Sequence, residues 1–255
     1  MSQEPRRIAY STTHYAEHID QPVPDIDADP VFSQVFNVAR GSTMVAKEAL
    51  YSFHEAIKYV VANDVPGDIV ECGVWRGGAS LLAALTLKHY QAPRRRWFGR
   101  DTARKVWLYD TFDGMSAPTE HDVDLSGRSA QSYMDQYGDA GRWCYSAEDE
   151  VRTNLLAGGI GKDDFVLVKG DVLQTLAKRR PSKIAVLRLD TDWYESTKHE
   201  LEVLYPLLSR GGVLIIDDYG HWNGARQATD EYFSKSRRPM LLHRTNYTVR
   251  TGVKL

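Results

Sequence analysis

Two aspartates in succession, Asp217 and Asp218, close the apolar run VLIIDDY, and another, Asp190, closes the run IAVLRLD. Each run is short and aliphatic, as a buried strand is, so three carboxylates surface at strand ends. If the two strands are parallel neighbours, these acids share one edge and repel one another unless a cation lies between them. A hard divalent ion such as Mg2+ takes oxygen ligands and keeps waters that a substrate can replace. Adjacent residues of a regular strand point to opposite faces, so Asp217 and Asp218 reach one ion only where the strand has begun to turn. Asp192 stands three residues before Glu195, the spacing of a helix cap and its partner, and is assigned first to capping and second as a metal ligand.

A second constellation lies upstream. The run ECGVWRGG places Glu71, Gly73 and Gly77 at a strand-to-helix turn. Glycine there lets the backbone approach a ligand, and the helix N-terminus that follows favours an anionic group. The spacing is not G-x-G-x-x-G, so a ligand with a carboxylate and a ribose fits better than a dinucleotide pyrophosphate. Asp110, at the end of the next apolar run, is placed to bind ribose hydroxyls. Asp171, ending the one after, is placed to accept from an adenine amino group. Three acids at consecutive strand ends make a nucleoside site.

The elements that must position these residues alternate along the chain. Strand candidates are 68–74, 105–112, 164–171, 184–190 and 213–219, mostly apolar on both faces as parallel strands covered by helices are. Helical segments fall near 44–64, 77–90, 146–157, 193–208 and 224–236, and Ser146 with Asp149 suggests a cap for the third of these. Two last strand candidates, 239–245 and 248–255, are close enough to pair antiparallel. The expected fold is α/β: a doubly wound, mostly parallel seven-stranded sheet with a C-terminal antiparallel hairpin. Residues 1–42, polar and broken by prolines, read as an N-terminal arm or lid ahead of one domain, 43–255. The connection 113–145 is too long to be bare and reads as an acceptor-side loop. The arginine-rich stretch 91–104 reads as a solvated surface.

Composition excludes several classes. A charged fraction of 26% and a net charge of −2 give no drive toward nucleic acid or membrane surfaces. The two cysteines, Cys72 and Cys144, are not spaced as metal ligands or as a disulfide framework. No apolar run approaches the length of a membrane span, and the first twenty residues lack the apolar core of a secretory signal. A cytoplasmic protein is expected.

The runs VPGDIVECGVWRGGAS, WLYDTFDGM, VLRLDTDWY and LYPLLSRGGVLIIDDY together resemble the macrocin O-methyltransferase family, over roughly 43–255. These are enzymes of the class I methyltransferase fold that methylate sugar hydroxyls of glycosylated natural products, using S-adenosylmethionine and Mg2+. The resemblance implies that Glu71, Gly73 and Gly77 hold the methionine part of the methyl donor. It implies that Asp110, Thr111 and Phe112 contact its ribose and Asp171 its adenine. Asp190, Asp217 and Asp218 match the metal ligands, and Asp190 becomes the expected general base. His221, three residues beyond Asp218, is a second catalytic candidate, and Met44 is expected beside the site. The implied partner is a sugar-containing small molecule or oligosaccharide, and the implied assembly is a homo-oligomer.

Three rivals remain. A catechol-type methyltransferase uses a similar acidic site on phenolic diols but carries Asp-Asn where this chain has Asp217-Asp218. Tyr194 and Lys198 have the spacing of the short-chain dehydrogenase pair, although Ala79 stands where that family's turn needs glycine. A non-catalytic binding module would bind these ligands without methyl transfer.

Overall fold

A computed structural model describes residues 21–98, 104–138, 142–235 and 239–255. Seven strands form one sheet: β1 (Asp68–Cys72), β2 (Val106–Asp110), β3 (Phe165–Lys169), β4 (Ile184–Leu189), β5 (Leu208–Ile216), β6 (His243–Arg244) and β7 (Arg250–Val253). Their order is β3-β2-β1-β4-β5-β7-β6. The first five run parallel, and β7 lies antiparallel to both β5 and β6. The expected sheet is therefore present, with a hairpin partner shorter than the apolar run 239–245 suggested. The central strand β4 is buried along its whole length, which explains a sequence apolar on both faces.

Helices cover both faces. In chain order they are α1 (Pro24–Asp27), α2 (Pro30–Ala39), α3 (Lys47–Ala62), α4 (Gly78–Phe98), α5 (Ala130–Tyr137), α6 (Glu148–Ala157), α7 (Val172–Thr175), α8 (Tyr194–Leu204) and α9 (Asn223–Ser234). One apolar core joins α2, α3, α4 and α6 to the sheet, and a second joins α7 and α8 to its other face. Because the chain builds β1 to β3 outward and then returns to β4, the winding reverses between β1 and β4. Ligands of open α/β sheets bind in the crevice that this reversal opens at the strands' carboxyl ends. No helix among the described residues is long and apolar enough to cross a membrane.

Three expectations are corrected. Residues 30–39, inside the segment read as an arm, form a core helix that buries Phe32, Val35, Phe36 and Ala39. Pro30 opens that helix at its first position, where proline is tolerated, rather than breaking it. Asp192 is not a cap: α8 is flanked by Trp193 without a side-chain cap bond. Ser146 does not cap α6 either, since its hydroxyl donates to Glu150 Oε2 at 3.0 Å. Residues 1–20 and 99–103, and the side chains of the arginine run at 94–96, lie outside the described residues.

The connection 113–145 is structured by its own carboxylates. Asp122, fully buried, accepts from Tyr194 N at 2.7 Å through one oxygen. Its other oxygen accepts from Thr119 N at 2.6 Å and from the Thr119 hydroxyl at 2.9 Å. A residue of the loop thus supplies the cap that α8 lacks locally. Asp124 accepts from the Tyr133 hydroxyl at 2.7 Å, fixing α5 to the same turn. Replacing Asp122 by Ala strands these donors in the interior and is expected to cost about 1–3 kcal/mol. Urea unfolding measures that cost, and a loss below about 0.5 kcal/mol would show the clamp to be idle.

Candidate functional site

The strand-end turns gather around a cavity at the β1/β4 switch point. Its walls come from Thr43 to Ala46, the β1 turn, the 113–145 loop, the ends of β4 and β5, and residues 246–249. Glu71, Gly73, Asp110, Asp190, Asp217, Asp218 and His221 all face this cavity, as does Met44.

The turn after β1 closes tightly. Gly73 has φ of +81°, and a Cβ there would sit 1.8 Å from the carbonyl oxygen of Asp190, so only glycine lets the ends of β1 and β4 meet. Glu71 is buried, and both its oxygens are engaged: Oε1 accepts from Arg188 Nη1 at 2.5 Å and Oε2 from the Ser80 hydroxyl. Burial pushes its carboxyl above the usual carboxylate range, against the pull of Arg188. Asp110 shapes the turn beside it, accepting from Val74 N at 2.7 Å, Trp75 N at 3.1 Å and Phe112 N at 2.8 Å.

The other residues expected to contact a nucleoside are engaged with their own turns. Asp171 begins α7 and accepts from Leu173 N at 2.9 Å, a capping role. The Thr111 hydroxyl donates to Gly114 O at 2.5 Å, and Phe112 is packed in the core. Gly77 turns the backbone at φ +84° against Val151 rather than lining the cavity.

The two adjacent aspartates diverge. Asp217 Oδ1 accepts from Arg188 Nη2 at 2.6 Å, while Asp218 Oδ2 accepts from Asp192 N at 3.1 Å. The carboxylates that converge are Asp190, Asp192 and Asp218, with oxygens within 4.8 Å of one another. Asp192 reaches the group from a left-handed backbone, φ +66°. Three acids in such a cavity are not stable as anions alone. Burial, reinforced by the charges of Asp190 and Asp217, pushes Asp192 up to about 7. Burial and neighbouring acids also hold Asp190 and Asp218 well above the carboxylate range. An all-oxygen set short of positive charge fits a hard divalent cation. Of the expected ligands, Asp190 and Asp218 belong to this converging group together with Asp192, while Asp217 faces the same cavity from its pairing with Arg188.

The sequence reading missed Arg188. It lies directly across the sheet from Glu71, is almost wholly buried, and bonds Glu71, Asp190 and Asp217. A lone arginine inside the aliphatic run AVLRL was the available signal. Its guanidinium presents a planar fork of donors suited to several carboxylates at once.

One side of the cavity is aromatic and holds the histidine. Tyr133, Trp143 and Trp222 face the cavity, with Trp193 behind them, and Trp193 meets Trp222 edge-on at 5.1 Å. Such faces suit the apolar side of a ring substrate. His221 Nδ1 is 3.2 Å from the Tyr247 hydroxyl, and burial lowers its basicity. The dehydrogenase pair is absent in function: Tyr194 bonds Glu231 at 2.8 Å and lies outside the cavity lining.

Comparison with known proteins places this arrangement. The macrocin O-methyltransferase (TylF) family matches residues 37–246. A Streptomyces olivaceus protein described as 8-demethyl-8-(2,3-dimethoxy-alpha-L-rhamnosyl)-tetracenomycin-C 4'-O-methyltransferase is 35% identical over 206 residues, 81% of this chain and 73% of its own length. The mycinamicin III 3''-O-methyltransferase of Micromonospora griseorubida is 34% identical over 190 residues, 74% of this chain and 69% of its own. The solved O-methyltransferase NovP superposes with a TM-score of 0.71 at 27% identity, covering 96% of this chain and 99% of that one. The chain belongs to the macrocin O-methyltransferase (TylF) family and is an S-adenosylmethionine-dependent O-methyltransferase.

Proposed function

We propose that the protein methylates a sugar hydroxyl of a glycosylated natural product, aided by Mg2+ held by Asp190, Asp192 and Asp218. The observation that carries the metal is the convergence of these three carboxylates at the cavity. The sugar acceptor is supported by relatives whose descriptions name a rhamnosyl-tetracenomycin, a decarbamoylnovobiocin and a mycinamicin.

The donor supplies an electrophilic methyl group, and a bound divalent cation acidifies and orients a neighbouring hydroxyl. The chain's own residues do the rest. Glu71, Gly73 and Asp110 form the donor end of the cavity, and Tyr133, Trp143 and Trp222 form its acceptor end. Asp190 is the proposed base: its carboxylate faces the cavity beside the other converging acids, whereas burial lowers the basicity of His221. Holding acceptor oxygen and donor in line supplies much of the remaining rate. Asp217 faces the same cavity but pairs with Arg188 through Oδ1 and lies outside the converging group.

An acceptor screen with labelled S-adenosylmethionine tests the reading, using desmethyl tetracenomycin, novobiocin and mycinamicin glycosides alongside a catechol. Glycoside methylation that stops with EDTA and returns with Mg2+ is expected. Turnover that ignores the chelator removes the metal, and catechol preference favours the phenolic alternative. The third ligand is tested by titrating Mg2+ against variants: Asp192→Asn is expected to raise the half-saturating concentration about tenfold or more, and Asp217→Asn less. The reverse order assigns the ligand to Asp217.

A further inference from the structure

A second group of ligating side chains lies away from the cavity, where α2 meets α3. Asp29, His54 and Glu55 bring a carboxylate oxygen, an imidazole nitrogen and another carboxylate oxygen within 4.8 Å of one another. Each is oriented by contacts that leave one ligand atom free. Asp29 caps α2 with Oδ1, which accepts from Val31 N and Phe32 N at 2.9 Å each. Its other oxygen lies 3.9 Å from His54 Nε2. That separation is too long for a hydrogen bond.

His54 is completely buried, and its Nδ1 pairs with the Thr86 hydroxyl at 2.9 Å. Its Nε2 has no hydrogen-bond partner among the described residues. The rings of Phe32, Tyr51 and Tyr90 enclose it, with centroids 5.6, 6.1 and 5.8 Å away. A buried polar nitrogen left unpaired costs free energy. Here it faces two acids, an arrangement that a cation completes.

We propose that Asp29, His54 and Glu55 bind a transition-metal dication of the Zn2+ type. One imidazole nitrogen with two carboxylate oxygens is a borderline donor set that suits Zn2+ and leaves a fourth position for water. It does not suit Mg2+, which prefers oxygen alone. Where Nδ1 donates to Thr86, Nε2 carries the lone pair a metal needs, so Thr86 is the outer partner that fixes the ring. Zinc bonds of about 2.0–2.2 Å require the donors to close inward by several tenths of an ångström. Glu55 has that freedom: its side chain is 41% exposed and, among the described residues, pairs with the half-exposed Lys58 at 2.8 Å. An exposed pair of this kind is worth about 0–1 kcal/mol and yields to a dication.

The position gives the ion a structural task. It ties the start of α2 to α3, and α2 leads through Arg40–Ser42 into Thr43 to Ala46, which line the cavity. The test is Zn2+ titration calorimetry on the untagged full-length chain, beside the double variant Asp29→Asn/Glu55→Gln. Asn keeps the N-cap and Glu55 is exposed, so the variant retains the fold, checked by its circular dichroism. Wild type is expected to bind one equivalent more than the variant and to gain more in Tm from Zn2+. Mg2+ titration is expected to give equal stoichiometry in both. Equal Zn2+ stoichiometry in the two proteins overturns the site and leaves a bridging water as the partner of His54.

Discussion

Asp190→Asn is expected to lower kcat by about 10²–10⁴-fold while S-adenosylmethionine still binds. The variant keeps the shape of the side chain and the Arg188 contact through its amide oxygen, so the fold survives. What it loses is the proton acceptor and one anionic ligand of the proposed cation, so the rate is read at saturating Mg2+. His221→Gln, by contrast, is expected to cost about tenfold or less, because it removes packing beside Trp222 rather than the base. Single-turnover methyl transfer measures both, with donor binding followed separately by calorimetry. A full-rate Asp190→Asn enzyme would falsify the assignment, and a larger loss at His221 moves the base there.

Arg188→Met is expected to be the most destabilising single change in the site, by about 3–5 kcal/mol. The side chain is 2% exposed and bonds three acids, so its removal leaves buried charge without a partner. Arg188→Lys should recover little, since an ammonium cannot present the same fork to three carboxylates. The loss has a defined pH dependence. Burial already holds Glu71 and Asp190 above the ordinary carboxylate range, and losing the guanidinium raises both further. In the variant the folded state therefore binds protons more tightly than the unfolded state. Its stability is retained below the unfolded carboxylate pKa of about 4 and falls as pH rises beyond it. Guanidinium unfolding at acid and neutral pH reads this directly. A variant within about 1 kcal/mol of wild type at neutral pH would show that the three acids need no internal counter-ion.

These two residues mark what was legible in the sequence. Asp190 was legible because an acid ending an aliphatic run in a doubly wound sheet falls at the ligand edge. Glu71, Gly73 and Asp110 were legible on the same ground, and all face the cavity. Arg188 was not, because its meaning depends on register: only pairing β4 with β1 sets it opposite Glu71. The split of Asp217 from Asp218 depends on the same arginine. Asp192 was ranked first as a cap and only second as a metal ligand because its spacing to Glu195 satisfies a capping pattern, while the left-handed backbone beside the cavity leaves no trace in composition. Asp122 escaped for a different reason: the helix end it satisfies is 72 positions away. The helix at 30–39 was missed because its opening proline was read as a breaker.

The position of β7 has a consequence for biosynthesis. Sheet order departs from chain order here: β7, made after β6, inserts between β5 and β6. Until residues 250–253 have left the ribosome, β5 keeps an unpaired edge and β6 has no neighbour in the sheet. The wall of the cavity at 246–249 is likewise missing until then. A nascent chain therefore carries a nearly complete core with one open, apolar strand edge, the kind of surface that invites pairing with other chains.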